Sequence, residues 1–424
     1  MFKKMKKNKF NESMLSVDEA LARILRQIKI LEPKVVPIID SLGSVLAEDV
    51  FSKINVPYAD NSGMDGYAVI ADNLKFASQS SPINLKVIGL IKAGDIPNIK
   101  LKDQSAIRIM TGGAIPKGAD AILPFEYTKE EVLDAEKNDS YVTVIKNVAE
   151  GDYIRLSGKD VKKGEKILTQ GMVLSPAEIG VLASIGMNKI NVFRKPIVSI
   201  LSTGDELIDP GTDYSSYLTY DSNASLIASS VVNCGGVPKI LGVANDNIES
   251  VNEKLRLAYG SDLLITTAGV SKGDYDIVKD VLEQKGKIDF WSVNMKPGKP
   301  LAFGSLDLGD GIFIPHLGLP GNPVSALVTF EQFGRNIIMK MLGKKISNNT
   351  ISAVLDEPIY NLERKRTFVR VIVENKGGVF RAKLTGDQSS NLLTSVVRAN
   401  GLAICPEEIE KKDIGDTIDV QMLY

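Results

Sequence analysis

The chain has 424 residues, of which 44% are hydrophobic and 24% charged, and its 51 Lys and Arg against 52 Asp and Glu give a formal net charge of −1. This length predicts two to four domains, and the composition excludes an intrinsically disordered chain. The balanced charge excludes the whole-chain basic field that would indicate nucleic-acid binding, and no apolar run is long enough to span a membrane.

Cysteine and histidine are rare, which limits the chemistry that the chain can perform. Cys234 and Cys405 lie far apart in the sequence, and His316 is the only histidine. The two cysteines argue against a disulfide framework and a cysteine zinc site, and a single histidine nearly rules out a multi-histidine metal site and a Ser-His-Asp triad. We expect His316 to have a local hydrogen-bonding or packing role. The Lys-rich first ten residues have no apolar segment after them, so we expect a solvated terminus and a cytoplasmic protein.

The N-terminal half is predicted to consist mainly of short strands, with a helix near each of its two ends. Apolar residues at helical spacing predict a helix over Ser16–Leu31, with Ser16 and Glu19 as a capping box. Many short β-type segments separated by Gly, Pro and Asp predict a β-rich module between Tyr67 and Val148. The other predicted elements are strands at Lys34–Ile39 and Val45–Phe51 and a helix at Pro176–Ile185 with Ser175 as its N-cap.

From Pro196 onward, continuous apolar strands alternate with helices, which predicts a doubly wound, mostly parallel α/β sheet. After Gly343, strands dominate again and predict a small β domain. The predicted order is strand Ile197–Leu201, helix Asn223–Asn233, strand Lys239–Val243, helix Ile248–Tyr259, strand Leu263–Thr267, helix Tyr275–Gln284, strands near Leu301 and Ile312, helix Pro323–Met341, and strands Ile351–Leu355, Thr367–Val373, Val379–Leu384 and Thr417–Met422.

Five polar loops follow the predicted strands of this sheet. Because the carboxyl ends of parallel strands share one edge, the loops should converge there and form a cleft. The loops are residues 202–206, 245–246, 268–276, 296–300 and 319–323. Each loop alone is also compatible with simple helix capping or a turn. Five loops at one edge favour a ligand site instead.

The residue types in these loops suit an anionic ligand and a hard cation. Glu206, Asp246 and Asp276 offer carboxylate oxygens of the kind that Mg²⁺ prefers, and Lys296 and Lys299 offer positive charge to an oxyanion. Two further loops in the N-terminal half, residues 60–67 and 111–120, consist of small and polar residues. Their backbones could touch a ligand or could serve as turns only. No P-loop and no GxGxxG sequence is present.

Six of these segments resemble the MoeA family: DNSGMDGYAV at 60–69, RIMTGGAIPKGADAI at 108–122, SILSTGDEL at 199–207, AGVSKGDYD at 268–276, MKPGKPLAFG at 295–304 and GLPGNPVSA at 318–326. They occur in the family's order and cover nearly the whole chain. The resemblance implies a discontinuous, elongated N-terminal domain at 1–55 and 150–192 and an inserted β-rich domain at 56–149. It also implies a molybdopterin-binding α/β domain at 193–343 and a β-barrel-like C-terminal domain at 344–424.

The same resemblance implies a reaction, in which molybdenum from molybdate is inserted into adenylylated molybdopterin and AMP is released in a Mg²⁺-dependent step. It implies homodimers whose active site lies between the α/β domain of one subunit and N-terminal elements of the other, and a molybdopterin adenylyltransferase as a partner. Two other readings stay open, namely an enzyme similar to that adenylyltransferase and a non-catalytic scaffold similar to the gephyrin E domain.

Residues carried over from the family fall into two groups. The catalytic group is Asp60, Glu206, Asp246 and Asp276, of which the last three are also the expected metal ligands. The substrate-binding group is Thr111, Ser271, Lys296, Lys299, Pro320, Pro323, Arg370 and Ser390. The chain departs from the family's usual residues at Gly63, Ala268, Lys272 and Ser292, and Ala268 stands where glycine is more usual.

Overall fold

The computed structural model describes residues 14–134, 139–214, 217–268, 281, 284–308, 311–346 and 349–423. Its N-terminal half contains two α-helices and twelve strands within those ranges. They are α1 (Val17–Gln27), β1 (Pro33–Pro37), β2 (Val50–Phe51), β3 (Asn61–Ser62), β4 (Gly66–Val69), β5 (Ile83–Ile91), β6 (Ser105–Ile109), β7 (Ala121–Pro124), β8 (Thr128–Asp134), β9 (Asp139–Val144), β10 (Ile154–Arg155), β11 (Lys166–Leu168), α2 (Pro176–Ser184) and β12 (Lys189–Phe193).

Both predicted helices of this half are present, and their caps explain where they begin. The Ser16 hydroxyl accepts a hydrogen bond from the Glu19 backbone N–H, so α1 begins where expected. The Glu19 carboxylate accepts from Arg23 one turn later, and this pair takes the place of the reciprocal bond of the predicted capping box. At α2 the full capping box forms between Ser175 and Glu178. The apolar face of α1 packs into the core of the α/β sheet.

The predicted β-rich module is a six-stranded sheet in the order β7-β4-β6-β5-β9-β8. Three short antiparallel ladders, β1–β12, β2–β11 and β3–β10, join the chain before this sheet to the chain after it. The six strands are therefore an insertion between the two halves of those ladders. The exact boundaries at 55/56 and 149/150 remain a prediction.

The α/β region contains the predicted alternation of strands and helices. Its elements are β13 (Ile197–Thr203), β14 (Leu207–Ile208), β15 (Thr219–Tyr220), α3 (Ser222–Cys234), β16 (Val237–Ala244), α4 (Ile248–Leu257), β17 (Leu263–Thr267), β18 (Gly286–Ser292), β19 (Met295–Lys296), β20 (Pro300–Asp307), β21 (Phe313–Leu319), α5 (Pro323–Thr329) and α6 (Arg335–Met341). The predicted helix Tyr275–Gln284 lies mostly outside the described residues.

The sheet has the order β16-β13-β17-β21-β20-β18, and its first four strands are parallel. β20 and β21 form an antiparallel pair instead, because the five residues between them are too few for a parallel crossover. Ile200 and Ile265 pack against α3 and α5 on one face. Leu201 and Leu264 pack against α4 on the other face. The doubly wound, mostly parallel sheet is thus confirmed.

The last helical stretch of this region has the predicted bounds but is not one regular α-helix. The sequence predicted a single helix over Pro323–Met341, and the structure has α5 and α6 joined by a π-helical segment at Phe330–Gly334. Phe330, Phe333 and Ile337 are buried in the same core as α1 and α3. This stretch therefore holds the N-terminal helix against the sheet.

The C-terminal region is the predicted small β domain, and it is a closed barrel. Its elements are β22 (Thr350–Leu355), β23 (Ile359–Tyr360), β24 (Arg366–Lys376), β25 (Val379–Leu384), α7 (Thr394–Arg398), β26 (Gly401–Cys405), β27 (Lys411–Lys412) and β28 (Thr417–Met422). The ring runs β24-β25-β22-β28-β26 and closes by pairing of β26 with β24. Val371, Ala382, Ala403 and Val420 are buried in one cluster. β26 was missed in the sequence.

Both cysteines are free thiols, in agreement with the absence of a disulfide framework. Over the described ranges, no helix combines the length and the apolar character that a membrane span requires.

Candidate functional site

Two loops at the carboxyl end of the α/β sheet bring carboxylates together, and we call this group the acidic edge (Asp205, Glu206 and Asp246). The loop after β13 carries Asp205 and Glu206, and the loop after β16 carries Asp246. The Asp205 carboxylate accepts a hydrogen bond of 2.9 Å from the Asp246 backbone N–H. Burial and the neighbouring charges of Asp205 and Glu206 raise the pKa of Asp246. The acidic edge thus concentrates negative charge.

A glycine positions the Glu206 side chain. Gly204 has a φ of +148°, and a Cβ there would lie 2.5 Å from Glu206 Oε2. The positive φ favours glycine here, and the absent side chain leaves space for the Glu206 carboxylate near the end of β13. The Glu206 carbonyl also accepts a hydrogen bond of 2.7 Å from the Thr219 backbone N–H. The backbone of this loop is therefore held at Glu206, whose side chain is exposed.

The acidic edge supplies the donor type that suits Mg²⁺. Burial first, and then repulsion from the Asp205 and Glu206 carboxylates, raise the pKa of Asp246, and a bound cation would relieve this repulsion. Among the residues that the structure describes, no three His, Cys, Asp or Glu side chains are already arranged as a set of metal ligands. Asp276, the third predicted ligand, and Ser271 both lie outside the described residues. The carboxylates present fit a hard cation in chemistry, and their role as ligands remains a prediction.

The two predicted lysines lie at the junction of the α/β sheet and the C-terminal barrel. β19 pairs in parallel with β24, with Lys296 opposite Thr367, so this loop is fixed to the barrel. Gly298 has a φ of +100°, and a Cβ there would lie 2.3 Å from Thr329 Oγ1. The turn between Lys296 and Lys299 therefore requires glycine.

Between this loop and the loop at 387–390 lies a cavity of about 450 Å³, which we call the basic cavity. Its lining includes both predicted lysines and the predicted Ser390; the full set is Met295, Lys296, Pro297, Gly298, Lys299, Pro300, Ser325, Asp387, Gln388, Ser389 and Ser390. Lys296 and Lys299 are exposed to solvent. Two ammonium groups and several hydroxyls around one opening can receive an oxyanion.

Ser390 connects the barrel to the α/β sheet. Its carbonyl accepts a hydrogen bond of 3.1 Å from the Val324 N–H at the start of α5, and its hydroxyl accepts one of 3.0 Å from the Asn322 amide. Pro323 occupies the first turn of α5, and Pro320 is buried at the end of β21. The structure thus brings Pro323 and Ser390, predicted separately, to one interface.

Arg370 lies fully buried beneath the 387–390 loop. One guanidinium nitrogen donates to the carbonyls of Asp387 and Ser389, at 3.2 Å each. Its Nε and Nη1 have no partner among the described residues. Burial lowers the pKa of Arg370. A buried cation without a bound carboxylate is costly to keep, which favours a functional role over a purely structural one.

Asp60 and Thr111 lie on two N-terminal loops that are paired with each other, through the Asn61–Ala114 bridge. Asp60 accepts a hydrogen bond of 2.7 Å from the Ser157 N–H. Asp65 accepts from the backbone N–H and the hydroxyl of Thr111, and these two bonds lower the pKa of Asp65. These hydrogen bonds remain within the N-terminal half, so they do not join Asp60 or Thr111 to the acidic edge.

Several residues that shape the site were not singled out from the sequence. Asp65 and Ser157 hold Thr111 and Asp60, and Asn322 holds Ser390. A cavity of about 480 Å³ beside Asn61 is lined by Arg155. Short polar residues in turns were the only available signal for these positions.

His316 is buried within β21 and is not part of either group. Its Nε2 lies 3.0 Å from the Thr266 hydroxyl. Complete burial lowers the pKa of His316 to about 3, so the ring is neutral near pH 7. The predicted local hydrogen-bonding and packing role is confirmed.

Three family models match consecutive parts of the chain. Residues 15–186 match the model described as "MoeA N-terminal region (domain I and II)". Residues 199–340 match "Probable molybdopterin binding domain", and residues 352–423 match "MoeA C-terminal region (domain IV)".

Whole-length relatives agree with these matches. The molybdopterin molybdenumtransferase of Haemophilus influenzae is 35% identical over 419 residues, which cover 96% of this chain and 98% of that protein. The enzyme of the same name from Bacillus subtilis is 32% identical, with 96% and 94% covered. Two crystal structures of the molybdopterin biosynthesis MoeA protein from Pyrococcus horikoshii have TM-scores of 0.83 and 0.78 at 30% and 28% identity, and each match covers 97% of this chain and 100% of that chain.

Proposed function

The chain belongs to the MoeA family, and from this premise we propose that it is a molybdopterin molybdenumtransferase. The reaction takes molybdenum from molybdate into adenylylated molybdopterin and releases AMP, in the synthesis of molybdenum cofactor. The observation that carries the proposal is the basic cavity, in which Lys296 and Lys299 face the Ser390 loop. Two free thiols agree with a reducing compartment, and we propose the cytoplasm.

In this proposal the two parts of the site bind different ligands. Lys296, Lys299 and Ser390 hold molybdate, and Arg370 positions the loop that carries Ser390. Glu206, Asp246 and Asp276 are the residues that would hold Mg²⁺. When bound, Mg²⁺ supplies charge neutralisation at the phosphoanhydride that is cleaved. The carboxylates hold the cation and do not themselves exchange protons in this scheme.

Asp60 and Thr111 complete the site from a second subunit in this proposal. Their hydrogen bonds lead to Ser157 and Asp65 of the N-terminal half, where the Arg155 cavity also lies. A homodimer is supported by exposed apolar side chains on the same half of the chain, namely Val35, Ile39 and Leu42. Exposed apolar residues at neighbouring positions often mark a protein interface.

The direct test is AMP release by the purified chain with adenylylated molybdopterin, Mg²⁺ and molybdate. We expect AMP release that requires both molybdate and Mg²⁺. Substrate binding without AMP release would favour the scaffold reading, and use of free molybdopterin with ATP would favour the adenylyltransferase reading.

The shared site is tested by mixing two inactive variants. Asp246 lies in the α/β region of one subunit, and Asp60 lies in the N-terminal half that the other subunit is proposed to contribute. A dimer of one Asp60→Ala chain and one Asp246→Ala chain should therefore contain one intact site and recover AMP release. Each variant mixed with itself is the control. Subunit exchange that is verified by mass but recovers no activity contradicts the shared site.

A further inference from the structure

Lys296, one of the two lysines of the basic cavity, already has a carboxylate partner. Its Nζ lies 2.8 Å from Glu363 Oε1, and Glu363 belongs to the segment just before β24. The other oxygen of Glu363 accepts a hydrogen bond from Lys365. The hydrogen bond from Lys296, and to a smaller extent the one from Lys365, lower the pKa of Glu363 to about 2. Glu363 is therefore negatively charged throughout the neutral range and bridges two ammonium groups.

Lys299 differs from Lys296 although both line the same cavity. No carboxylate of the described residues is paired with Lys299 in an ion pair. An oxyanion entering the basic cavity would thus meet one open lysine and one that is already neutralised by a side chain of the same protein.

The ion pair between Lys296 and Glu363 is weak enough for Lys296 to exchange Glu363 for another anion. The two side chains are 54% and 48% exposed, and ion pairs at such exposure contribute little free energy. The Lys365 side chain is only 16% exposed, so water screens its contact with Glu363 less. Glu363 could leave Lys296 and still keep a cation beside it.

We propose that Glu363 is an internal counter-anion that competes with the oxyanion substrate for Lys296. This inference rests on the proposed oxyanion site. In the absence of substrate, Glu363 neutralises Lys296. When the oxyanion binds, Lys296 turns to it and Lys365 retains the Glu363 carboxylate. Glu363 thereby sets the affinity of the basic cavity for the oxyanion, and Lys365 limits how strongly Glu363 competes.

The test is calorimetric titration of the full chain with sodium molybdate. Glu363→Gln removes the competing charge and keeps the side-chain shape, so it should lower the Kd for molybdate about two- to fivefold. Lys365→Met removes the second partner of Glu363 and should raise the Kd by a similar factor. Glu410→Gln is the matched control, since Glu410 forms an exposed pair with Arg364 at 3.3 Å, and it should leave the Kd unchanged.

The same substitutions in a Lys296→Met background separate competition from a general charge effect. If Glu363 acts through Lys296, both shifts should disappear in that background. If the shifts in Kd persist in the Lys296→Met background, or if Glu410→Gln shifts the Kd equally, the substitutions act only through the overall electrostatic potential, and the competition is contradicted. Thermal unfolding of each variant checks that the fold is retained.

Failure of this inference and failure of the proposed function give different results. If Lys299→Ala weakens molybdate binding while Glu363→Gln leaves it unchanged, the oxyanion site stands and the competition is wrong. If neither wild type nor Glu363→Gln binds molybdate, the oxyanion site itself is misplaced and both proposals fail.

Discussion

The acidic edge and the basic cavity are built in different ways. The acidic edge arises within one sheet, because the parallel strands β13 and β16 end side by side and their loops meet there. The basic cavity arises between two regions, where β19 of the α/β region pairs with β24 of the barrel. A site within one sheet depends on strand order, whereas a site between regions depends on the contacts that dock them. Substitutions should therefore affect the two parts differently.

The largest effect is expected at the acidic edge. Asp246→Ala should reduce AMP release by at least about a hundredfold, because it removes a carboxylate of the cluster that is proposed to hold Mg²⁺. Molybdate binding should be unchanged, since the basic cavity is formed by other loops. Glu253→Gln, an exposed change on the following helix α4, is the control for loss of charge. Wild-type turnover with unchanged Mg²⁺ dependence would remove Asp246 from the site.

A smaller effect is expected from Arg370→Met, which tests how the basic cavity is supported. The change removes the two hydrogen bonds to the 387–390 loop, so molybdate binding should weaken roughly tenfold. Stability should change little, because the lost bonds are offset by no longer burying a guanidinium without a carboxylate. Calorimetry and thermal unfolding measure the two quantities, with the exposed Arg398→Met as control. Unaltered molybdate affinity would contradict the role of Arg370.

The sheet that carries the acidic edge should be sensitive to acid through His316. Its folded-state pKa of about 3 lies below the ordinary 6.5, so its contribution to stability is full above pH 6.5 and is lost as the pH falls. The loss is about 1.4 kcal/mol per pH unit, or roughly 2 kcal/mol at pH 5.

His316→Asn can keep a hydrogen bond to Thr266 but does not titrate. Denaturant unfolding between pH 7 and pH 5 should therefore show a flatter dependence for this variant, and since the chain has one histidine, the difference belongs to His316. Parallel curves for the two proteins would contradict its burial as a neutral ring.

The smallest effect is expected at Ala268, at the end of β17. Its φ of +70° lies in the left-handed region, which costs a non-glycine residue about 1–2 kcal/mol. Ala268→Gly should therefore stabilise the chain, by up to about 1 kcal/mol after the entropy of glycine is counted. Gly186 has a φ of +79° and open space around it, so Gly186→Ala should lower the stability of the chain. A loss of stability in Ala268→Gly would mean that its methyl group makes contacts that outweigh the strain.

The acidic edge could be anticipated from the sequence, because strand order follows from apolar runs and loops at the ends of parallel strands converge. Glu206 and Asp246 were found by this argument, before any resemblance was used. The closed barrel was anticipated only in part, since β26 was missed, and with it the pairing with β24 that closes the ring. The antiparallel β20–β21 pair also escaped prediction.

The basic cavity could not be derived in the same way. Its lysines follow from the Lys-Pro-Gly-Lys-Pro sequence, but their approach to Ser390 depends on docking between regions, which local patterns do not encode. Arg370 and Ser390 came from the family resemblance alone. Glu363 had no signal, because one glutamate in a charged loop looks like any solvated side chain.

The central claim is that the two parts bind different ligands, and a crossed titration tests it most directly. AMP release is measured for Glu206→Ala and Lys299→Ala against rising Mg²⁺ and, separately, rising molybdate. We expect Glu206→Ala to raise only the half-saturating Mg²⁺ concentration. Lys299→Ala should raise only that of molybdate, by roughly tenfold to a hundredfold. The division of the site would be contradicted if both variants raised the half-saturating concentrations of both ligands equally, or if Lys299→Ala left that of molybdate unchanged.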